Sequence, residues 1–212
     1  MRIVIAGGHG KIALLLSSIL ATAGHHPVGL IRNAAHAAEV RATGAEPVVL
    51  DLESSDVDSV STALAGADAV VFAAGAGANS GAERKLTVDR DGAILLGAAA
   101  VAADVRRYVV VSAIGTDDFD ADSDDVMQVY LRAKSEADAA VRALDLDWTI
   151  VRPGGLTDDD GTGRVEVGET VERGTIPRAD VAAVIAHVLT SGAAVRRQFE
   201  VVSGSIAVAD AF

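Results

Sequence analysis

The chain has 212 residues, of which half are hydrophobic, so it can bury a core of its own, and its length suits one domain. Its net charge of −12, without a basic cluster, argues against nucleic acid as a partner, and its lack of cysteine excludes disulfides, thiolate catalysis and cysteine metal sites. We see neither a leader peptide nor an apolar run of about 18 residues, and therefore expect a cytoplasmic protein with no membrane partner.

Apolar runs of strand length alternate with segments of helical length along the whole chain. The predicted strands are Ile3–Ala6, Val28–Ile31, Val48–Leu50, Ala69–Ala73, Tyr108–Ser112, Trp148–Val151 and Phe199–Val202. The predicted helices are Lys11–Ala23, Ala34–Ala42, Val57–Ala65, Ala82–Ala103, Met127–Ala143 and Asp180–Leu189. This alternation predicts an α/β fold with a doubly wound parallel sheet.

Two stretches interrupt this rhythm, and both follow the carboxyl end of a strand. Gly115–Asp125 is rich in Asp, and Pro153–Gly174 is rich in Gly and Thr. Open α/β sheets bind ligands at that edge, so each stretch is either a substrate-facing segment or an ordinary surface loop. We expect one domain over residues 1–212, with residues 153–176 as a short substrate-side lobe or loop within it.

A glycine-rich turn separates the first strand from the first helix. It reads Gly7-Gly8-His9-Gly10-Lys11-Ile12-Ala13. Glycines there permit a tight turn and a close approach to a pyrophosphate, and a small third residue, Ala13, lets the helix pack on the strand. The helix N-terminus adds unpaired N–H groups, so the turn predicts a dinucleotide site. His9 either touches a phosphate or faces solvent.

The end of the second strand indicates which dinucleotide is bound. A site for NAD(H) usually has an acid there, which holds the ribose 2′-hydroxyl. This chain has Arg32, whose guanidinium suits a 2′-phosphate, although an exposed arginine at a strand end is the plainer interpretation. We therefore expect NADP(H) rather than NAD(H). By position, further cofactor contacts are expected after the third and fourth strands, at Asp51, Leu52, Ala73, Ala74 and Gly75.

A second group of residues carries chemistry on the fifth strand and the helix after it. Tyr130 and Lys134 are four residues apart, hence on one helix face, and Ser112 ends the preceding strand. The Lys134 cation would favour the phenolate, so Tyr130 could exchange a proton with an alcohol or carbonyl, whose oxygen Ser112 would hold. Tyr130 could instead simply pack.

At these residues the chain resembles the short-chain dehydrogenase/reductase superfamily over its whole length. More narrowly, it is similar to the atypical NAD-dependent epimerase/dehydratase branch, which is related to the NmrA-like NAD(P)-binding proteins. The likeness is carried by the glycine turn, Ser112, Tyr130 with Lys134, Thr149–Thr157 and Ile176–Ala182. It implies that Ser112, Tyr130 and Lys134 are catalytic and that Lys134, Pro153 and Gly154 lie against the cofactor.

The chain departs from the superfamily pattern in three places. Ala13 replaces the third glycine, which is a mild change. Asp89 stands where the superfamily has a catalytic Asn, and we include it among the catalytic candidates because an acid there could order a water or orient Lys134. The segment after Pro153 is far shorter than in sugar-nucleotide epimerases, which argues against a nucleotide-sugar substrate.

Three functions remain open from the sequence. The first is an NADP(H)-dependent oxidoreductase that reduces a small carbonyl compound, with Tyr130 moving the proton. The second is a non-catalytic NADP(H) redox sensor of the NmrA-like type, and the third is an NADPH-dependent flavin or quinone reductase, which needs no Tyr–Lys pair. We expect a small-molecule substrate and a monomer or homodimer.

The remaining polar residues give no metal motif. The histidines lack the spacing and the carboxylate company of a metal site. The acidic stretch Asp117–Asp125 lacks the glycine and the final glutamate of an EF-hand, so we expect a solvated loop with helix-capping carboxylates that could also cover the site.

Overall fold

A computed structural model describes residues 1–77 and 80–212. The strands are β1 (Arg2–Ala6), β2 (His26–Ile31), β3 (Glu46–Val49), β4 (Ala69–Phe72), β5 (Arg107–Val111), β6 (Asp147–Pro153), β7 (Gly155–Thr157), β8 (Arg164–Gly168), β9 (Thr175–Pro177), β10 (Arg197–Ser203) and β11 (Ile206–Ala207). The α-helices are α1 (Lys11–Thr22), α2 (Ala37–Ala42), α3 (Val57–Ala63), α4 (Ala82–Arg84), α5 (Ala93–Ala102), α6 (Val126–Ala143) and α7 (Arg178–Ser191). Short 3₁₀ turns cover Ala34–His36, Leu52–Ser54 and Val208–Asp210.

The strands form one large sheet in the order β11-β8-β10-β6-β5-β4-β1-β2-β3. All neighbours from β3 to β10 are parallel, whereas β8 is antiparallel to both β10 and β11. The strand order reverses between β1 and β4, and ligands bind at such a switch point. The predicted doubly wound α/β fold is confirmed.

Helices cover both faces of the sheet because alternate strand residues point to opposite sides. On β1, Ile3 and Ile5 pack with α1 and α7, whereas Val4 and Ala6 pack with α3, α5 and α6. All four of these β1 side chains are fully buried. The sheet therefore stands rigidly between two apolar layers, which fixes the ends of its strands relative to one another.

The long helix predicted over Ala82–Ala103 contains a π-helical segment, Lys85–Gly92, between α4 and α5. π-Helical turns are rare and are frequent at functional sites. Lys85 and Asp89 are both buried on its inner side. The wider turn could not be predicted, because the apolar spacing on either side of it is compatible with an ordinary helix.

Three of the strands that the sequence analysis missed begin within the segment 153–176, and the fourth is the short edge strand β11. β7 and β9 pair with each other in a small parallel sheet, and β8 extends the edge of the large sheet. β7 and β8 contain polar residues and glycine and are largely exposed, and β9 has three residues, of which Ile176 is fully buried, so none of them has the apolar run from which the other strands were predicted. Among the described helices, none combines the length and the apolarity that a bilayer crossing requires.

Candidate functional site

The glycine turn after β1 is shaped by close backbone contacts. Gly7 has φ of +76°, and a Cβ built on it would lie 2.5 Å from the Cα of Ala74. A Cβ on Gly8 would lie 2.6 Å from the Cα of Gly29. Side chains at either position would therefore collide with backbone of the neighbouring strand ends. The fully buried Ala13 in turn packs α1 against the sheet.

The N-terminus of α1 opens at this turn without a side-chain cap. Gly10 is the N-cap residue in extended conformation, and its own N–H donates to the carbonyl of Gly7 at 2.7 Å. The first N–H groups of α1 are consequently available to an anion. This cradle fits the pyrophosphate of a dinucleotide.

A cleft runs from the turn across the ends of the neighbouring strands, and it unites most of the predicted cofactor residues. Those that line it are Gly7, Gly8, His9, Gly10, Arg32, Asp51, Leu52, Ala73, Ala74 and Gly75. The cleft also includes residues that sequence analysis did not assign: His36, Glu53, Arg84 and Val88. The position of these four depends on tertiary packing, and no motif marks them.

Arg32 lies at the adenosine end of this cleft with more than half of its side chain exposed. Its Nη1 is 3.7 Å from Oε2 of Glu53, which also accepts a hydrogen bond from Arg84 at 2.6 Å. The hydroxyl of Thr87 donates to the other oxygen of Glu53 at 2.7 Å. These hydrogen bonds, that of Arg84 above all, lower the pKa of Glu53. Because Arg84 neutralises Glu53, Arg32 is left to pair with an added anion.

His9 takes part in a stacked pair of imidazoles at the rim of the cleft. Its ring lies 3.7 Å from that of His36, centroid to centroid, and its Nε2 is 3.1 Å from a carboxylate oxygen of Glu39. The stack fixes His9 beside the phosphate cradle. His9 was expected either to touch a phosphate or to face solvent. In the structure it is partly exposed and lines the cleft.

The other predicted cofactor residues lie elsewhere. The ammonium of Lys11 points away from the cleft and pairs with Asp158 at 2.5 Å, so only its backbone N–H faces the cradle. Ile12 packs on the apolar core. Gly154 faces the short lobe, since a Cβ on it would lie 2.4 Å from the carbonyl oxygen of Gly174. It and its neighbour Pro153 are outside the lining of the cleft.

The predicted Tyr–Lys pair lies on the inner face of α6. Lys134 is buried, and its Nζ donates to the carbonyl of Val111 at 2.9 Å and lies 3.5 Å from Oδ1 of Asp89. The other oxygen of Asp89 accepts the N–H of Ala76 at 3.1 Å. Asp89 thus links the loop after β4 to α6, as the sequence hypothesis of an acid that orients Lys134 requires.

The charges around Tyr130 differ from the sequence expectation. Lys134 was expected to favour the phenolate, but its Nζ is 6.0 Å from the ring centroid of Tyr130 and is paired with Asp89. Burial, reinforced by the charges of Asp89 and Asp138, raises the pKa of Tyr130 well above its usual value. The phenol is therefore held in its protonated form, which corrects the expected direction.

Ser112 belongs to a buried network that sequence analysis missed. Its hydroxyl donates to Oδ2 of Asp138 at 2.9 Å, and the same oxygen accepts from Nε of Arg152 at 3.0 Å. The outer edge of Arg152 binds the carboxylate of Asp117, in the acidic loop, through two hydrogen bonds of 2.5 and 3.0 Å. Ser112 is thus linked through two charged residues to the loop that precedes α6.

The pKa values of the two carboxyls in this network shift in opposite directions. The hydrogen bonds from Arg152 lower the pKa of Asp117, whereas burial raises the pKa of Asp138 despite the same guanidinium. Asp138 was recoverable from the sequence, because it continues the four-residue spacing of Tyr130 and Lys134 on one helix face. Arg152 was part of the run Thr149–Thr157 that carries the resemblance, but the sequence analysis assigned it no role of its own.

The cradle at the switch point and the Ser–Tyr–Lys set beside it define a NAD(P)-binding protein of the short-chain dehydrogenase/reductase superfamily. Sequence comparison agrees: a family model described as NAD(P)H-binding matches residues 7–192, so the chain belongs to that family. The predicted resemblance to the atypical epimerase/dehydratase branch is confirmed.

Three relatives illustrate this placement. The "Uncharacterized sugar epimerase YhfK" of Bacillus subtilis is 34% identical over all of this chain and 98% of its own length. The structure of a putative NAD-dependent epimerase/dehydratase from Bacillus halodurans is 39% identical, with a TM-score of 0.91 over 99% of this chain and 97% of that one. The structure of the oxidoreductase ylbE from Lactococcus lactis is 26% identical, with a TM-score of 0.87 over 100% of this chain and 94% of that one.

Proposed function

We propose that the protein is an NADP(H)-dependent reductase of a small carbonyl compound. The observation that carries this proposal is the position of the Tyr130 phenol beside the buried pair of Lys134 and Asp89. A protonated phenol can pass its proton to an oxygen that gains negative charge, and the same group takes the proton back in the reverse reaction.

A reduced nicotinamide dinucleotide held by the glycine turn and the cleft would supply a hydride to the carbonyl carbon. Tyr130 donates its hydroxyl proton to the carbonyl oxygen as negative charge develops there, so that C=O becomes CH–OH. Lys134 is held by the carbonyl of Val111 and by Asp89, and solvent reprotonates the phenolate that remains on Tyr130. Ser112 can donate to the substrate oxygen once its hydroxyl turns away from Asp138.

The preference for NADP(H) is proposed from the charges at the adenosine end of the cleft. Arg32 and Arg84 lie there with two acidic residues, of which Glu53 is paired with Arg84 and Asp51 accepts the backbone N–H of Glu53. A 2′-phosphate would bind there to Arg32, whose weak 3.7 Å contact with Glu53 is easily exchanged. The stacked His9 and His36 border the same region.

The test of the cofactor assignment compares dissociation constants of NADPH and NADH for wild type and Arg32→Ala. A charge-assisted pair contributes about 1.5–3 kcal/mol, and the exposure of Arg32 places the expected effect at the lower end, roughly tenfold weaker NADPH binding. NADH binding should change little. Arg41→Ala, on the outer surface of α2, is a matched control for the loss of one arginine. Tighter binding of NADH by the wild type would contradict the assignment.

The test of the chemistry is oxidation of NADPH with a panel of small aldehydes and ketones, by wild type and Tyr130→Phe. We expect turnover by the wild type and a loss of about 10²-fold or more in Tyr130→Phe, the usual contribution of a positioned acid. Unchanged turnover in the variant would refute the proton transfer and favour a flavin or quinone reductase.

One observation favours the second candidate, a non-catalytic NADP(H) sensor. The hydroxyl hydrogen of Ser112 is engaged by Asp138, and the network continues to the exposed carboxylate of Asp117 on the loop before α6. Such a chain could link the cofactor site to a surface loop. A sensor would bind NADP(H) without oxidising NADPH across the panel, and a partner would be recovered with one redox form of the cofactor.

A further inference from the structure

Lys85 is a buried lysine that neither the sequence motifs nor the proposed proton transfer uses. It lies in the π-helical segment, and its Nζ is 5.2 Å from the centroid of the Tyr130 ring. Its one hydrogen bond within the described residues is to the carbonyl oxygen of Gly77, at 2.8 Å. An ammonium has three N–H donors, so two of them have no described protein acceptor.

The chain has three lysines, and the other two have carboxylate partners. Lys11 pairs with Asp158 at 2.5 Å and Lys134 with Asp89 at 3.5 Å. No carboxylate of residues 1–77 or 80–212 lies within 4.0 Å of the Lys85 ammonium, and the two remaining residues, Ala78 and Asn79, are uncharged. A buried charge is costly unless an opposite charge or several hydrogen bonds compensate it, and contact with an aromatic ring does so only in part.

The phosphates of a dinucleotide are poorly placed to supply the missing negative charge. Arg84 and Val88, which are close to Lys85 in the chain, line the cofactor cleft, but Lys85 does not. Tyr130 and Lys134, the reacting side chains, are likewise outside that lining. Lys85 therefore belongs with Tyr130, on the side where a substrate would lie.

We propose that the ammonium of Lys85 binds an anionic oxygen of the substrate, and that the substrates are small carbonyl compounds carrying a carboxylate close to the carbonyl group. The ammonium lies over the ring that bears the proton-donating hydroxyl, so a carboxylate held there brings its neighbouring carbonyl towards Tyr130. This assignment rests on the proposed reductase function, which it makes more specific.

Selective ¹³C labelling of lysine tests the binding without any turnover. Three lysines give three sets of ε-methylene signals, which Lys11→Arg, Lys85→Arg and Lys134→Arg assign. The NADP⁺-loaded protein is titrated with propionate and with its neutral analogue propionamide. We expect the Lys85 signal to move saturably with propionate and to remain still with propionamide, while the signal of the exposed Lys11 serves as the internal control.

Two results would overturn the proposal. One is a Lys85 ε-methylene signal whose chemical shift does not change with propionate, or changes equally with propionamide. The other is a Lys85 signal that moves when NADP⁺ is added and is then insensitive to propionate, since the cofactor would be the anion that it binds.

Kinetics add a specificity readout. With a 2-oxo acid and the corresponding 2-oxo amide as paired substrates, Lys85→Met should raise KM for the acid at least tenfold and leave KM for the amide nearly unchanged, and Lys85→Arg should restore much of the difference. An equal loss for both compounds would indicate a merely structural lysine. Failure of the reductase proposal would instead appear as no turnover of either compound while the Lys85 signal still responded to propionate.

Discussion

Replacing Asp89 by Asn should lower the pKa of Tyr130 and make the phenolate accessible. Asp89 raises that pKa directly, and it also neutralises Lys134, whose Nζ lies 6.0 Å from the Tyr130 ring centroid. At an effective dielectric constant of about 20, a full charge at that distance contributes about 2.8 kcal/mol, or about two pKa units. Solvent reaching the site reduces this effect, so we expect a decrease of one to two units. Asn keeps an oxygen that can accept the N–H of Ala76.

The near-ultraviolet absorbance of phenolate measures this change without a substrate. The chain has two tyrosines, and the other, Tyr108, is fully buried, donates to the carbonyl of Ala93 at 2.7 Å and also has a raised pKa. Subtracting the titration of Tyr130→Phe from that of the wild type isolates Tyr130. The wild-type phenol should remain protonated beyond the ordinary value of about 10.

Lys134→Met is the opposing control for this titration. It removes the cation and leaves Asp89 uncompensated, so Tyr130 should become harder to ionise, not easier. Circular dichroism at each pH confirms that the fold persists. Equal Tyr130 titrations in wild type and Asp89→Asn would refute the electrostatic argument that Asp89 raises the pKa of Tyr130.

Two further predictions concern the frame of the site. Gly7→Ala should cost about 2–4 kcal/mol of unfolding free energy and abolish cofactor binding, because it adds a Cβ at 2.5 Å from the Cα of Ala74 to a residue with positive φ. The control Gly24→Ala should cost about 1–2 kcal/mol, because Gly24 also has positive φ, of +81°, but has open space around it. Equal losses of stability for the two variants in urea titrations would contradict the predicted collision at Gly7. Arg152→Met should cost about 3–5 kcal/mol by leaving Asp138 buried without its cation, and adding Asp138→Leu should recover much of this; no recovery in the double variant would refute the pairing.

The sequence predicted the central sheet well because its strands are buried on both faces. Runs such as that of β4, all four residues of which are buried, are visible as continuous apolar segments between helical ones. The strands of the short lobe were missed because they lie at an exposed edge. β8 alternates polar and apolar residues from Arg164 to Val167, but this is the shortest run that indicates a strand, and it lies in a segment rich in Gly and Thr.

In the candidate site, too, the features set by local sequence could be predicted, and the contacts set by the tertiary structure could not. The glycine turn and the Tyr130–Lys134 spacing are local, and each lies where the sequence placed it. The partners of these residues come from distant parts of the chain: Arg152 reaches Asp138 from another element, and Lys85 approaches Tyr130 from the π-helical segment. Neither pairing has a fixed sequence spacing, so neither could be predicted.

Asp89 is the residue at which sequence and structure together say most about function. An Asn in its place would leave Lys134 with an uncompensated charge, and that charge would stabilise the phenolate, the form that accepts a proton from an alcohol. The carboxylate cancels the charge and keeps Tyr130 a phenol, which suits the delivery of a proton to a carbonyl. Asp89→Asn should therefore move the pH optimum of alcohol oxidation downwards, and the tyrosine titration would register the cause of that shift before any substrate is known.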